Sequence, residues 1–164
     1  MGVADELLKN NQRYTLSYRQ ANLPAAPRQR LAVLACMDAR VDVHRVLGLS
    51  EGDAHVIRNA GGQATDDAIR SLAISQRRMG TTEIVLLHHT DCGMAKMTEE
   101  EMNAEVRAQT GCEPPFRWGA FKDVADDLRQ AVADVRSSPF ILHRGRVRGF
   151  LLDIQSGRLQ EISS

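Results

Sequence analysis

The chain has 164 residues, and its 21 Lys and Arg against 21 Asp and Glu leave no formal net charge. With 43% hydrophobic and 26% charged residues it has a globular composition, long enough to bury roughly 70% of its unfolded surface without disulfides. The balanced charge argues against a nucleic-acid partner and no apolar run approaches the ~20 residues that span a bilayer; the first residues also lack the basic-then-apolar pattern of a signal peptide, so a cytoplasmic protein with no membrane partner is expected.

Leu7, Leu8, Tyr14 and Tyr18 recur near helical spacing and predict an amphipathic helix over 4–19, followed by an extended, proline-containing connection over 23–27. The continuously apolar run Leu31-Ala32-Val33-Leu34-Ala35-Cys36 suits a strand buried on both faces, as in a parallel sheet. A short helical piece is expected over 41–47 and a second strand over 54–58, with Gly48 and Gly52 bracketing the turn between them. Asn59-Ala60-Gly61-Gly62 then breaks the chain, either as a simple turn or where backbone must approach a site closely. Thr65 is a candidate N-cap with Asp66 and Asp67 in the first turn, Ile69, Leu72, Ala73 and Gln76 follow at helical spacing, and Gly80 is a natural stop.

Residues 83–88 predict a third buried strand. Thr98 and Glu101 have the form of a capping box, opening a helix that stops at Gly111. A longer helix is expected over 119–136, with Phe121, Val124, Leu128, Val132 and Val135 on one face and Trp118 in the same helical stretch. A turn pattern at Ser156-Gly157 predicts a hairpin of 147–154 and 158–162. Strands alternating with helices imply an α/β fold: a mostly parallel central sheet flanked by helices, with one antiparallel edge strand from the C-terminal hairpin. The whole chain, 1–164, reads as one domain.

Sheets of this kind bind ligands at the carboxyl ends of their strands. Cys36-Met37-Asp38-Ala39-Arg40 closes the first predicted strand, and His89-Thr90-Asp91-Cys92-Gly93 closes the third. Taken singly, a strand-end cysteine is usually a small buried hydrophobe and an Asp-x-Arg a surface ion pair. If the two strands are neighbours, Cys36, His89 and Cys92 meet, and two thiolates with one imidazole suit one Zn2+ while leaving a coordination position open, as in catalytic zinc sites. Two thiolates cancel the charge of the ion, so a nearby cation would help water ionise there, and Arg40 can supply it. Asp38 can accept a hydrogen bond from a zinc-bound hydroxide while Arg40 holds it in a two-pronged pair, or can itself displace the water and take the fourth position.

These motifs, C-x-D-x-R at 36–40 and H-x-x-C at 89–92, resemble those of beta-class carbonic anhydrases, and Arg58-Asn59-Ala60-Gly61-Gly62 and Arg148-Gly149-Phe150 resemble further blocks of that family. The similarity spans roughly residues 30–162 and is strongest to the short actinobacterial-type branch. The resemblance implies zinc held by Cys36, His89 and Cys92, with Asp38 and Arg40 as a catalytic dyad and Asp38 joining the metal only in a closed form. It implies reversible hydration of carbon dioxide to bicarbonate and a proton. It also implies a homodimer or dimer of dimers, in which the N-terminal helical arm, residues 1–27, packs on the partner. Hydrolysis of carbonyl sulfide or carbon disulfide at the same site is the alternative, since hydrolases of those substrates resemble the family; a non-catalytic zinc domain binding a protein partner is a further one, against which Asp38 and Arg40 speak.

Among the other candidates, strand alternation turns His88 away from His89, so it is expected to be a packed or hydrogen-bonded core histidine. Nothing around His44 or His55 demands a role in proton release, His143 lies in a basic stretch with Arg144, Arg146 and Arg148 that reads as a solvated face, and Cys112 beside Pro114-Pro115 reads as a bystander.

Overall fold

The computed structural model describes residues 2–163. Among them are five strands, β1 (Leu31–Cys36), β2 (Ala54–Asn59), β3 (Glu83–His89), β4 (Val147–Leu152) and β5 (Leu159–Ile162), in the sheet order β2-β1-β3-β4-β5. The first four run parallel and β5 is antiparallel to β4. The apolar runs of β1 and β3 place these strands side by side inside the sheet, with Leu31 opposite Glu83 and Ala35 opposite Leu87. Their carboxyl ends therefore emerge together.

The helices are α1 (Val3–Ser17), α2 (Val43–Leu47), α3 (Asp66–Met79), α4 (Glu99–Thr110) and α5 (Val124–Ser137). Local signals fix most of their ends. The Thr65 side chain accepts from the backbone N–H of Ala68, and Gly80 closes α3 in the left-handed conformation. Thr98 and Glu101 form the capping box of α4, which Gly111 terminates. One face of the sheet, Ala32, Leu34, Ile84, Leu86 and Val147, packs against Ala68 and Leu72 of α3 and Leu128 and Val132 of α5. Gly149 lets α5 lie close on β4, because a Cβ there would stand 2.9 Å from Val132 and 3.1 Å from Leu128. The opposite face gathers Val33, Ala35 and Leu87 under Val41 and Val43.

Three expectations are corrected. The helix read over 119–136 begins only at Val124, because the Asp123 side chain accepts from the backbone N–H groups of Ala125 and Asp126 and fixes the start there. Phe121 and Trp118 consequently lie in the connection before α5: Phe121 stacks on the His88 ring, and Trp118 donates its indole N–H to Asn103. The short helix read over 41–47 starts at Val43 behind the Asp42 cap, and the strand read over 147–154 stops at Leu152. In α1, Leu7, Leu8 and Tyr14 are all exposed and none of its residues is buried within the chain; Tyr18 lies just past its end.

Candidate metal centre

β1 delivers Cys36 and turns at once into Met37 and Asp38. The turn is held from β2: the Met37 N–H donates to the Asn59 carbonyl at 2.8 Å, and the Arg58 guanidinium donates to the carbonyls of Cys36 (3.0 and 2.8 Å) and Asp38 (2.7 Å). β3 delivers His89, and the chain then passes through Asp91, whose φ of +55° lies in the left-handed region, to Cys92. That turn is tied to the end of β4 by Thr90, whose N–H donates to Leu152 O at 2.9 Å and whose hydroxyl accepts from the Ile154 N–H at 3.0 Å.

The ligand-capable atoms of Cys36, His89 and Cys92 all lie within 4.8 Å of one another, and the two sulfurs are 3.9 Å apart. All three residues are buried, with Met94, Met97, Ala60 and Phe121 packed around the cysteines. Nδ1 of His89 lies 2.9 Å from the Thr90 carbonyl and must donate to it, since a carbonyl only accepts; Nε2 then carries the lone pair. That buried Nε2 has no hydrogen-bond partner. An orphaned imidazole nitrogen facing two thiols, with its tautomer fixed from behind, is the arrangement a metal-ligating histidine needs. The donor set fits Zn2+ and provides three ligands.

Electrostatics favours the same use. Burial pushes the Cys36 thiol up, but the His89 imidazole and the backbone N–H groups of Asp38 and Gly61 outweigh it and bring the thiol down to about 7. Burial pushes Cys92 up to about 11, and the neighbouring Cys36 adds to the rise, so the second thiol needs a cation to ionise near neutrality. Cys36 in turn raises His89.

Asp38 and Arg40 stand at the mouth of this cluster. Arg40 donates from Nε to Oδ1 of Asp38 at 3.0 Å and from Nη2 to Oδ2 at 2.7 Å, and its backbone N–H adds a third bond at 2.9 Å. These bonds hold the Asp38 carboxyl well below the usual carboxylate range. Asp38 Oδ2 is 3.7 Å from Nε2 of His89, so the carboxylate faces the position a metal would take while being engaged by the guanidinium.

All five sequence-derived residues thus share one site. His88 points away from it, as expected: it is buried, and its Nε2 donates to the Gly62 carbonyl at 3.1 Å. Gly61 and Gly62 both have positive φ, and a Cβ on Gly62 would stand 3.1 Å from the Cys36 nitrogen, so the close-approach reading of this break holds. His55 is engaged elsewhere by Ser75 and Ala25, Cys112 is exposed, and Arg148 pairs with Glu161. Arg58 and Asp91 make contacts that join segments far apart in sequence, which motif spacing does not register, whereas Lys96 meets Asp91 within one turn.

The carbonic anhydrase family matches residues 31–113 of the chain. The chain is 45% identical over 163 residues to beta-carbonic anhydrase 1 of Mycobacterium tuberculosis, covering 99% of both. It is 34% identical over 158 residues to a carbon disulfide hydrolase of Acidianus sp., covering 81% of this chain and 77% of that protein. Among solved structures, a carbonic anhydrase from Streptococcus mutans superposes with a TM-score of 0.93 at 39% identity, covering 99% of both chains.

Proposed function

This chain belongs to the beta class of the carbonic anhydrase family, a family of zinc lyases, and from that membership we propose that it interconverts carbon dioxide and bicarbonate with release of a proton. Cys36, His89 and Cys92 are the residues that would hold Zn2+. When bound, the ion supplies Lewis acidity that makes water nucleophilic near neutral pH. The two cysteine thiolates would offset its charge, and Thr90 keeps His89 in the tautomer that offers Nε2.

Asp38 stays ionised because Arg40 holds it, and so it can only accept hydrogen bonds. Accepting one from the attacking water at Oδ2 turns the other lone pair of that oxygen towards the carbon of carbon dioxide. Arg40 orients Asp38 and keeps it from taking the metal position itself. Arg58 fixes the main chain beneath both. The buried apolar packing around Cys36 and Cys92 keeps bulk water from the ligand sulfurs.

The observation that carries this reading is the convergence of Cys36, His89 and Cys92 within 4.8 Å, with the Asp38 carboxylate 3.7 Å from His89 Nε2. Stopped-flow carbon dioxide hydration on metal-quantified protein, from pH 7 to 9, tests it. Zinc-loaded protein without activity over that range overturns the reading. Asp38→Asn is expected to keep the metal and lose turnover; loss of the metal would contradict the role given to Asp38.

The likeness to carbon disulfide hydrolases supports a second reading in which the same site hydrolyses carbon disulfide or carbonyl sulfide. Rates on the three substrates measured side by side decide between them. In either reading the chain works as one catalytic domain and as a homodimer or dimer of dimers, with residues 1–27 as an arm whose exposed Leu7, Leu8 and Tyr14 cover a second copy. A cytoplasmic, reducing compartment preserves the thiolates this chemistry needs.

A further inference from the structure

Arg40 is gripped from two sides. On one edge its guanidinium engages Asp38; on the other, Nη1 donates to Oδ2 of Asp91 at 2.8 Å and Nη2 to the Asp91 carbonyl at 3.0 Å. Asp91 is also met by Lys96, whose ammonium is 2.6 Å from Oδ1. The carboxylate of Asp91 therefore lies between two cations, with one oxygen given to each. Asp91 is moreover one of two non-glycine residues with positive φ among those described, at +55°. It directly precedes Cys92 in the turn that links the two candidate ligands His89 and Cys92. A residue held in a sparsely populated conformation, with every polar atom of its side chain committed, marks a place where geometry is constrained for use.

Arg40 by itself is poorly restrained. Its side chain is 49% exposed, and an exposed ion pair between neighbours two apart in sequence leaves an arginine free to change rotamer. Asp91 removes that freedom by anchoring the far edge of the guanidinium to the turn that carries two of the three metal-ligating residues. Lys96 balances the charge of Asp91, so that Arg40 keeps its positive charge for Asp38.

We propose that Asp91 is a positioning residue: by fixing Arg40 to the His89–Cys92 turn it sets how firmly Asp38 is held back from the metal position. The inference rests on the carbonic anhydrase reading of the site, because it concerns the orientation of Asp38 towards Zn2+. It assigns Asp91 no contact with substrate.

The test compares Asp91→Gly, Asp91→Asn and Arg40→Ala with the parent, as the full chain loaded with Zn2+ for kinetics and with Co2+ for visible absorption. Glycine adopts positive φ freely, so Asp91→Gly removes the carboxylate without straining the turn. Asn also tolerates this conformation and keeps an acceptor for Nη1. The expected results are an unchanged metal content, a fall in kcat of about tenfold to a hundredfold in Asp91→Gly at unchanged KM, and recovery of most of that loss in Asp91→Asn. The Co2+ spectrum of Asp91→Gly should move towards that of Arg40→Ala, and adding Asp91→Gly to Arg40→Ala should change neither spectrum nor kcat further. A parent-like kcat and spectrum in Asp91→Gly, or effects that add fully to those of Arg40→Ala, overturn the proposal. If the parent lacks carbon dioxide hydration yet the two Co2+ spectra still converge, the positioning role stands and the activity reading fails.

Discussion

Oδ2 of Asp127 lies 3.4 Å from Nδ1 of His88. The other nitrogen of that ring donates to the Gly62 carbonyl, so in the neutral imidazole Nδ1 is a lone pair facing a carboxylate oxygen. The two groups fit together when Asp127 carries a proton. Burial pushes Asp127 up to about 6, with Asp134 adding to the rise and the Gln63 amide opposing it. Burial likewise holds His88 neutral, down to about 4.

The pH dependence follows from these directions. Asp127 is raised above its ordinary value near 4, so its favourable protonated form contributes fully below that value and is lost as pH rises through about 6. His88 works in the opposite sense: its contribution is present above its ordinary value near 6.5 and is lost as pH falls through about 4. Asp127→Asn removes the first contribution and offers Nδ1 an amide donor. The variant should therefore gain stability relative to the parent between pH 4 and 6 and hold that gain above pH 7, by at most about 3 kcal/mol. Urea unfolding at a series of pH values checks this, and a difference that stays flat across the range contradicts it.

Gly62 has φ +72°, and an added Cβ would stand 3.0 Å from the His88 ring, 3.1 Å from the Cys36 nitrogen and 3.2 Å from the Ala35 carbonyl carbon. Two of these are main-chain atoms of β1 that cannot step aside. Gly62→Ala should cost about 2–4 kcal/mol and weaken metal retention. Gly93→Ala, where a Cβ meets nothing within 4 Å, should stay within about 0.5 kcal/mol of the parent. Thermal melts paired with metal analysis distinguish the two.

Removing the metal should leave two buried thiols and an unpaired imidazole nitrogen. At free zinc a thousandfold above its dissociation constant, the bound ion stabilises the fold by about 4 kcal/mol. Chelation should lower the Tm and added Zn2+ should restore it. Cys92→Ser should abolish that response, while Cys112→Ser, at an exposed position, should leave it intact.

The Glu99 carboxylate accepts from three successive backbone N–H groups, those of Trp118 (3.0 Å), Gly119 (2.7 Å) and Ala120 (3.0 Å). Glu99→Gln leaves a single acceptor oxygen and should cost about 1–2 kcal/mol. Hydrogen exchange should accelerate first at residues 118–120; uniform acceleration across α4 and the sheet would show that this loop is not the part released.

What the sequence disclosed follows from the range of the forces involved. The first three strands, the Thr65 and Thr98 caps and the Gly80 and Gly111 stops are written in near neighbours and lie close to where the sequence puts them. Cys36, Asp38, Arg40, His89 and Cys92 were legible because two short motifs of ligand-type residues close two predicted strands at the ends where such sheets bind ligands. The start of α5 was missed because periodicity extends smoothly through Phe121, whereas the cap at Asp123 is a local competitor that periodicity does not register. The roles of Arg58 and Asp91 were beyond reach, since each depends on bonds to segments 20 or more residues away.

β1 and β3 are hydrogen-bonded neighbours with a further strand on either side. Fraying at the rim of the sheet cannot separate the sulfur borne by one from the imidazole borne by the other. Cys92, carried on the turn after β3, is not bound into this ladder. The pairing of these two inner strands thus keeps Cys36 and His89 in register whether or not an ion lies between them.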